Sequence, residues 1–302
     1  MREFLMLAHN FEEEKHSIGG WFMSEKLDGM RAFWDGGLTR GKYATDVEWA
    51  NTEKHTRYLR PVVCTGLWSR YGQVIHAPDW FLDDLPNYTL DGELYAGRGN
   101  FQKVMSTCKQ LNPNDDWKLI HYKVFDRPAL RNVLQPGKVN NVNFKKVFKG
   151  YDEGPGQMTF RSVLHNMDSG KYWNYCHQVS LPYAQDKALE VVEDRLREIS
   201  AMGGEGLMLR KSESEWTPMR TWNLLKVKPV RFGSAVIVGW TEGKGKYKGM
   251  VGALKVRWEG KEFELSGMSD EERIIGYLKG EVGFKYRELT DSGIPKEARY
   301  VR

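Results

Sequence analysis

Apolar positions from Trp21 to about Leu94 fall in short runs cut by Gly, Asn and Asp, the pattern of strands rather than of helices. Residues 30–34 and 88–94 are two such runs, and Asp35-Gly36-Gly37 between them predicts a tight turn. Residues 119–125, 206–210 and 223–227 predict three further strands, each carrying charged side chains at alternate positions that can face a shared cleft. Over 184–202 the period changes: Ala188, Val191, Val192, Leu196 and Ile199 recur near helical spacing and Gly203-Gly204 ends the run, so this stretch predicts the clearest helix. Residues 131–156, rich in Asn, Gly and Lys, show no sustained period and predict an irregular surface excursion. Pro229 marks a break between a first domain, 1–229, and a second, 230–302. In the second, residues 235–240, 252–258 and 261–265 read as strands separated by glycine-rich connections. The irregular alternation of helix and strand predicts an α+β fold followed by a small β domain.

Composition narrows this only modestly. Of the 302 residues, 40% are hydrophobic and 13% aromatic, enough for packed cores. A net charge of +5 permits a polyanionic partner without requiring one. Cys64, Cys108 and Cys176 are odd in number, widely spaced and free of any C-x-x-C pairing, which argues against a disulfide framework or structural zinc. The apolar start, residues 4–8, is too short for a signal-peptide core and runs into Glu12-Glu13-Glu14-Lys15. With no apolar run approaching about 18 residues, the expectation is a soluble protein of the bacterial or phage-infected host cytoplasm, without membrane association.

The chemistry concentrates in Ser24-Glu25-Lys26-Leu27-Asp28-Gly29-Met30-Arg31. A lysine and an arginine on either side of an Asp-Gly turn can converge on one small anion, and a phosphate suits them. Asp-Gly is also an ordinary hairpin signal, so the block by itself is weak. Its weight grows with the blocks that come after it in the chain: Thr39-Arg40-Gly41, Leu90-Asp91-Gly92-Glu93-Leu94, Tyr122-Lys123-Val124-Phe125-Asp126, Glu205-Gly206-Leu207-Met208-Leu209-Arg210 and Leu224-Leu225-Lys226-Val227-Lys228-Pro229. A lysine has an ordinary pKa of about 10.4 and needs neighbouring positive charge or desolvation to react as a free amine. Lys226 and Lys228, alternating on one predicted strand, can reach a single phosphate chain from one side.

In order and content these six blocks resemble the ATP-dependent DNA ligases, within the covalent nucleotidyltransferases that include RNA ligases and mRNA capping enzymes. The resemblance runs from about Leu7 to the C-terminus and implies a nucleotidyltransferase domain of antiparallel sheets and helices followed by a small five-stranded β-barrel of the OB type. Gly252-Ala253-Leu254-Lys255-Val256 and Ser266-Gly267-Met268-Ser269-Asp270-Glu271-Glu272-Arg273 look like OB-domain signatures of the same ligases. By this resemblance Lys26 is the nucleophile that becomes adenylated, Lys226 and Lys228 meet the α-phosphate, and Phe125 stacks on adenine. Glu93 takes a ribose or metal role and Glu205 a metal role, Arg40 meets the ribose or triphosphate side, and Arg31 meets nucleotide and nick phosphates. Arg220, six positions before Lys226, matches a family arginine near the nucleotide or nick phosphate. The closing Arg299 and Arg302 are candidates for helping adenylation, although Glu297 and Ala298 depart from the family's usual pattern there.

The implied substrates are ATP, with Mg²⁺ or Mn²⁺, and nicked double-stranded DNA, sealed by a monomer whose domains close around the duplex in replication, repair or recombination. Lys244, Lys246 and Lys248, in a glycine-rich stretch of the predicted barrel, are expected to add DNA-phosphate contacts. Because 25 residues precede Lys26, the chain is expected to lack the large N-terminal domains of bigger ligases and of NAD-dependent ones. An RNA ligase or capping-type nucleotidyltransferase, and a non-catalytic nucleic-acid-binding protein, remain the alternatives. Transfer of label from ATP to Lys26 disposes of capping and of a purely binding role, and sealing of DNA separates a DNA ligase from an RNA ligase.

Overall fold

The long helix shows how local sequence becomes position. The computed structural model describes residues 4–47, 49–51, 61–133, 158–274, 280–290 and 292–301. Its helices are α1 (Asp79–Leu82), α2 (Phe101–Cys108), α3 (Leu130–Val133), α4 (Phe160–His165) and α5 (Gln185–Ala201). Helix α5 buries Ala188, Val192 and Ile199, and Lys187–Glu190, Arg195–Glu198 and Asp194–Arg197 pairs three residues apart line its solvent side. It ends in a Schellman motif: Gly204 N–H donates to the Ile199 carbonyl at 2.8 Å and Gly203 N–H to that of Ser200 at 3.1 Å, with Gly203 at φ +76°. A Cβ on Gly204 would lie 2.4 Å from the Ile199 side chain, so a glycine is required where the chain turns back toward the sheet. Ala184 and Met202, expected as the helix ends, are its caps.

Strands β1 (Leu7–Asn10), β2 (Phe22–Glu25), β3 (Met30–Asp35), β4 (Leu67–Ser69), β5 (Thr89–Tyr95), β6 (His121–Asp126), β7 (Trp173–Tyr175), β8 (Val179–Ser180), β9 (Leu207–Arg210) and β10 (Arg220–Val227) belong to a first unit, Met1–Val227. They form two five-stranded sheets, β1-β10-β9-β2-β8 and β4-β3-β5-β6-β7. Pairing is antiparallel except for β1 with β10 and β6 with β7. On the first sheet Met23, Leu207, Leu209 and Leu225 bury against α5. On the second, Ala32, Trp34, Leu90, Leu94, Tyr122 and Val124 bury with Phe81 and Leu82 of α1 and Val104 and Cys108 of α2. Each leucine, valine, methionine or phenylalanine among them contributes about 1.5–3 kcal/mol on burial. Period-two alternation then leaves charged residues on the opposite faces: Asp91 and Glu93 on β5, and Lys123 on β6.

Several expected strand boundaries move, among them that of 235–240, which extends over Arg231–Glu242, and two of the shifts bear on the site. Residues 115–119 form a 3₁₀ turn that leaves Leu119 exposed, so the strand expected over 119–125 begins at His121. The strand expected over 223–227 begins at Arg220 and stops at Val227; Lys228 therefore lies beyond it, as the first residue of the second unit, and does not alternate with Lys226 along one strand. The excursion expected over 131–156 lies, from residue 134 on, outside the described residues.

The second unit, Lys228–Arg302, contains β11 (Arg231–Glu242), β12 (Val251–Trp258), β13 (Lys261–Leu265), β14 (Glu281–Tyr286), β15 (Glu288–Leu289), β16 (Pro295–Lys296) and β17 (Arg299–Val301). Five of them form a sheet ordered β13-β12-β11-β14-β17. The twelve-residue β11 pairs with β14 along its first half and with β12 along its second, the register shifting at Ile237/Gly239. Such a bulge bends a strand shared by two neighbours. The two sheet edges approach through a Ser266–Arg299 bridge, with Tyr300 N–H donating to the Ser266 carbonyl at 2.9 Å. Ala235, Val251, Leu254, Val256, Leu265, Met268, Val282 and Phe284 fill the interior.

Candidate active site

Lys26 stands where the chain passes from the first sheet to the second. Its backbone N–H donates to the Gly206 carbonyl at 2.9 Å, carrying the β2–β9 pairing one residue past Glu25–Leu207. The turn after it presses on β5: a Cβ on Gly29 would lie 2.3 Å from the Leu94 carbonyl oxygen, which only glycine tolerates. Lys26 Nζ meets Glu205 Oε2 at 2.5 Å, and the two side chains stay 24% and 12% exposed, open enough to be reached. Glu205 arrives there because the Schellman turn of α5 delivers the chain to the start of β9. Behind the nucleophile candidate, Arg98 grips Glu25 with two bonds of 2.8 Å.

The facing sheet contributes a row across three strands, Arg31–Glu93–Lys123, set by the β3–β5 and β5–β6 registers. Arg31 donates from Nε and Nη2 to both oxygens of the fully buried Asp91 at 2.6 and 2.7 Å, and Trp216 Nε1 donates to the same carboxylate at 2.8 Å. A planar guanidinium on two carboxylate oxygens is the strong form of an ion pair. The Arg31 guanidinium also lies 4.4 Å from the centre of the Phe125 ring. Phe125 is the extra residue of a bulge on β6, because Gly92 pairs with Val124 while Asp91 pairs with Asp126.

Electrostatics tie the two sheets together. Burial pushes the Glu93 carboxyl up to about 7; Arg31 and Lys26 pull it down, and Glu205 and Asp91 push it further up. Lys26 and Glu205 from the first sheet thus act on a carboxyl of the second. Deeper in, Arg210 of β9 pairs with Asp126 of β6 at 3.3 Å, and burial pushes that carboxyl up to about 6 against the pull of Arg210. Lys226 joins from the first sheet. The row Asn10–Lys226–Met208–Ser24 shares one face, and Lys26, two positions beyond Ser24, continues it.

Lys26, Arg31, Glu93, Phe125, Glu205 and Lys226 are therefore brought together in the first unit, and the other expected residues lie elsewhere. Arg40, in the turn after β3, is held at 2.6 Å by both Asp79 of α1 and Asp83, which caps that helix. Arg220, at the far end of β10, donates to the Ala8 carbonyl. Lys228 belongs to the second unit. There, Lys246 meets Asp270 at 3.3 Å and lies 4.5 Å from the Tyr247 ring centre, in a 3₁₀ turn flanked by exposed Lys244 and Lys248. Arg299 donates to Ser266 Oγ at 2.6 Å, and Arg302 lies outside the described residues. Asp91, Asp126, Arg210, Glu25 and Arg98 were not singled out from the sequence. Asp91 and Asp126 sit inside the quoted blocks, so their signal was present, whereas nothing local marks Arg98 as the partner of a residue 73 positions away.

Among the described residues no group of three or more His, Cys, Asp or Glu side chains forms a metal cage. Glu93 and Glu205 are two carboxylates facing a cationic site, a donor set that fits Mg²⁺, which characteristically takes one or two carboxylates and completes its shell with substrate phosphates and water.

Comparison with known proteins places these features. The family model of the DNA ligase OB-like domain matches residues 242–302. A DNA ligase of Haemophilus influenzae is 27% identical over 300 residues, spanning 99% of this chain and 91% of that protein. A solved structure from a study of DNA binding by minimal Lig E DNA ligases is also 27% identical, with a TM-score of 0.66 over 99% of this chain and 98% of the other. A further structure, Pmar-Lig_PreS3, shares the fold at 20% identity and a TM-score of 0.64, covering 99% of this chain and 67% of its own. The chain is a DNA ligase homologue along nearly its whole length, with the α+β fold of these ligases and an OB-like second unit.

Proposed function

We propose that this homologue is an ATP-dependent DNA ligase that seals nicks in duplex DNA through a lysyl-AMP intermediate on Lys26, acting as a monomer with 1–229 as adenylation domain and 230–302 as OB-fold domain. The observation that carries this reading is the convergence on Lys26 of Glu205 at 2.5 Å and of Glu93, whose carboxyl is tuned by both. In the first step the Lys26 amine attacks the α-phosphorus of ATP; the N–P bond forms as the bond to the bridging oxygen breaks and pyrophosphate leaves. Glu205 is the group within reach of the amine's proton, and it orients Nζ before attack. Phe125 supplies a ring for adenine, and Lys226, on the same sheet face as Lys26, supplies positive charge for the α-phosphate. Arg40 reaches the triphosphate only by leaving Asp79 and Asp83. Lys228 is assigned to the nucleotide phosphates by resemblance alone.

In the second step an oxygen of the DNA 5′-phosphate attacks the same phosphorus, the N–P bond breaks and Lys26 recovers its proton. In the third, the 3′-hydroxyl attacks the activated 5′-phosphorus and AMP leaves, closing the phosphodiester. A divalent cation held by Glu93 and Glu205 would supply charge stabilisation for the phosphoryl oxygens.

Incubation with α-labelled ATP and Mg²⁺, followed by a nicked duplex, tests this directly. Label should appear on the wild type, move to DNA and be released as AMP with a sealed strand, and Lys26→Ala should take up none. Labelling of Lys26→Ala, or a wild type without labelling, overturns the reading; labelling without DNA sealing assigns the enzyme to RNA ends.

A further inference from the structure

Strand β10 slips against β1 at the edge of the first sheet. Leu7 and Ala8 pair with Arg220 and Thr221, but the next pairs are His9 with Leu225 and Asn10 with Lys226, so residues 222–224 have no partner on an unbroken β1, while Leu224 stays paired with Arg210 of β9. The slip keeps an indole at the surface. Trp222 is 55% exposed, and its ring lies flat on that of His9, with centroids 3.6 Å apart and planes 7° from parallel. His16 approaches the same indole at 5.2 Å, and Phe11 backs His16 at 5.9 Å.

The groups that act on the His9 ring are cationic or protonatable, while the turn after β1 carries the exposed Glu12, Glu13 and Glu14. Burial lowers the His9 pKa, and Arg220, His16 and Lys226 lower it further, which places three cationic or protonatable groups around one ring pair. Arg220 is anchored through one Nη on the Ala8 carbonyl, at the start of the same strand. In the adjoining turn Glu12 is already engaged by Lys15 at 2.5 Å. Lys226, next to His9's partner Leu225, acts on the imidazole from the sheet face that carries Lys26, so the platform stands at the β1 edge of the sheet whose other face holds the transfer site. An exposed aromatic ring flanked by cations matches a nucleic-acid strand, with a base or sugar on the ring and phosphates on the cations.

We propose that Trp222, backed by His9 and flanked by Arg220, is a contact for the DNA strand at the β1 edge of the first sheet, stacking a nucleotide on the indole while Arg220 takes a neighbouring phosphate. The proposal rests on the DNA ligase reading, and its test separates the two. With the full chain, the affinity for a fluorescent nicked duplex is measured across a salt series for wild type, Trp222→Ala, Trp222→Phe and Arg220→Gln, and labelling by ATP without DNA is measured for the wild type and the Trp222 variants. Trp222→Ala should weaken nick binding about tenfold, within the range for one stacked base. Trp222→Phe should retain most of the affinity, Arg220→Gln should lower the salt slope by about one, and labelling by ATP should survive in both Trp222 variants. Nick binding by Trp222→Ala at the wild-type level overturns the proposal. So does lost labelling with intact nick binding, which would give the platform to the nucleotide. A wild type that binds nicks through Trp222 but takes no label supports the contact while removing the ligase chemistry.

Discussion

Replacing Asp91 with Asn tests the charge network behind the site. The Asp91 carboxylate is fully buried and accepts three hydrogen bonds, two from Arg31 at 2.6 and 2.7 Å and one from Trp216 Nε1 at 2.8 Å. Asparagine keeps an acceptor for the indole but leaves the Arg31 guanidinium, 19% exposed, without its counter-charge. Breaking a buried ion pair from one side costs about 3–5 kcal/mol, mostly through the stranded charge. At about 2–4 °C per kcal/mol for a domain of this size, the melting transition of the first unit should fall by roughly 6–20 °C. Arg31→Met should cost a similar amount. The double variant Arg31→Met with Asp91→Asn removes both members of the pair and so leaves neither charge facing an empty partner position, and it should recover at least about 2 kcal/mol relative to the sum of the single changes. Urea denaturation of the four proteins at pH 7.5 gives the cycle. Strict additivity, or a loss below about 1 kcal/mol for Asp91→Asn, would refute the view that this pair is a coupled buried unit.

The remaining predictions rest on single contacts. Burial raises the Asp35 carboxyl to about 6 from an ordinary 3.8, so the folded protein keeps a proton that the unfolded chain releases. This contribution to stability is fully present below about pH 4 and is lost as pH rises through 6; Asp35→Asn should flatten that part of a stability-against-pH curve, and an unchanged slope would refute the assignment. Gly29→Ala places a methyl 2.3 Å from the Leu94 carbonyl oxygen; it should cost about 1–3 kcal/mol and lower ATP labelling of Lys26 more than tenfold per folded molecule, whereas normal labelling would show that the turn does not position the nucleophile. Alanine at Lys244, Lys246 and Lys248 together should weaken nick binding and flatten its salt dependence. Because Lys246 already meets Asp270 at 3.3 Å, the outer two lysines should carry more of that effect, and equal single-variant losses would contradict it.

Local chemistry made much of this protein readable from its residues. The Lys-x-Asp-Gly-x-Arg turn, the Asp-Gly-Glu and Glu-Gly steps and the helical period closed by Gly203-Gly204 all lie in segments whose backbone is governed by neighbours one to five positions away. Strand alternation likewise separated the buried Leu90 and Leu94 from the charged Asp91 and Glu93. Tertiary structure alone decided which of these side chains meet. Lys26 reaches Glu205 across 179 residues, Arg31 reaches Asp91 across 60 and Trp216 reaches Asp91 across 125, because β2 pairs with β9, β3 pairs with β5, and the segment between β9 and β10 brings the Trp216 indole to the Asp91 carboxylate. No spacing rule encodes a partner on a strand that distant in sequence. The same is true of irregularities: the bulges that isolate Phe125 on β6 and expose Trp222 on β10 arise from registers between strands distant in sequence, and the end of β10 at Val227, which separates Lys228 from Lys226, is set by where pairing with Leu207 stops. The residues named the chemistry through their types and order, and long-range packing chose the geometry in which it can occur.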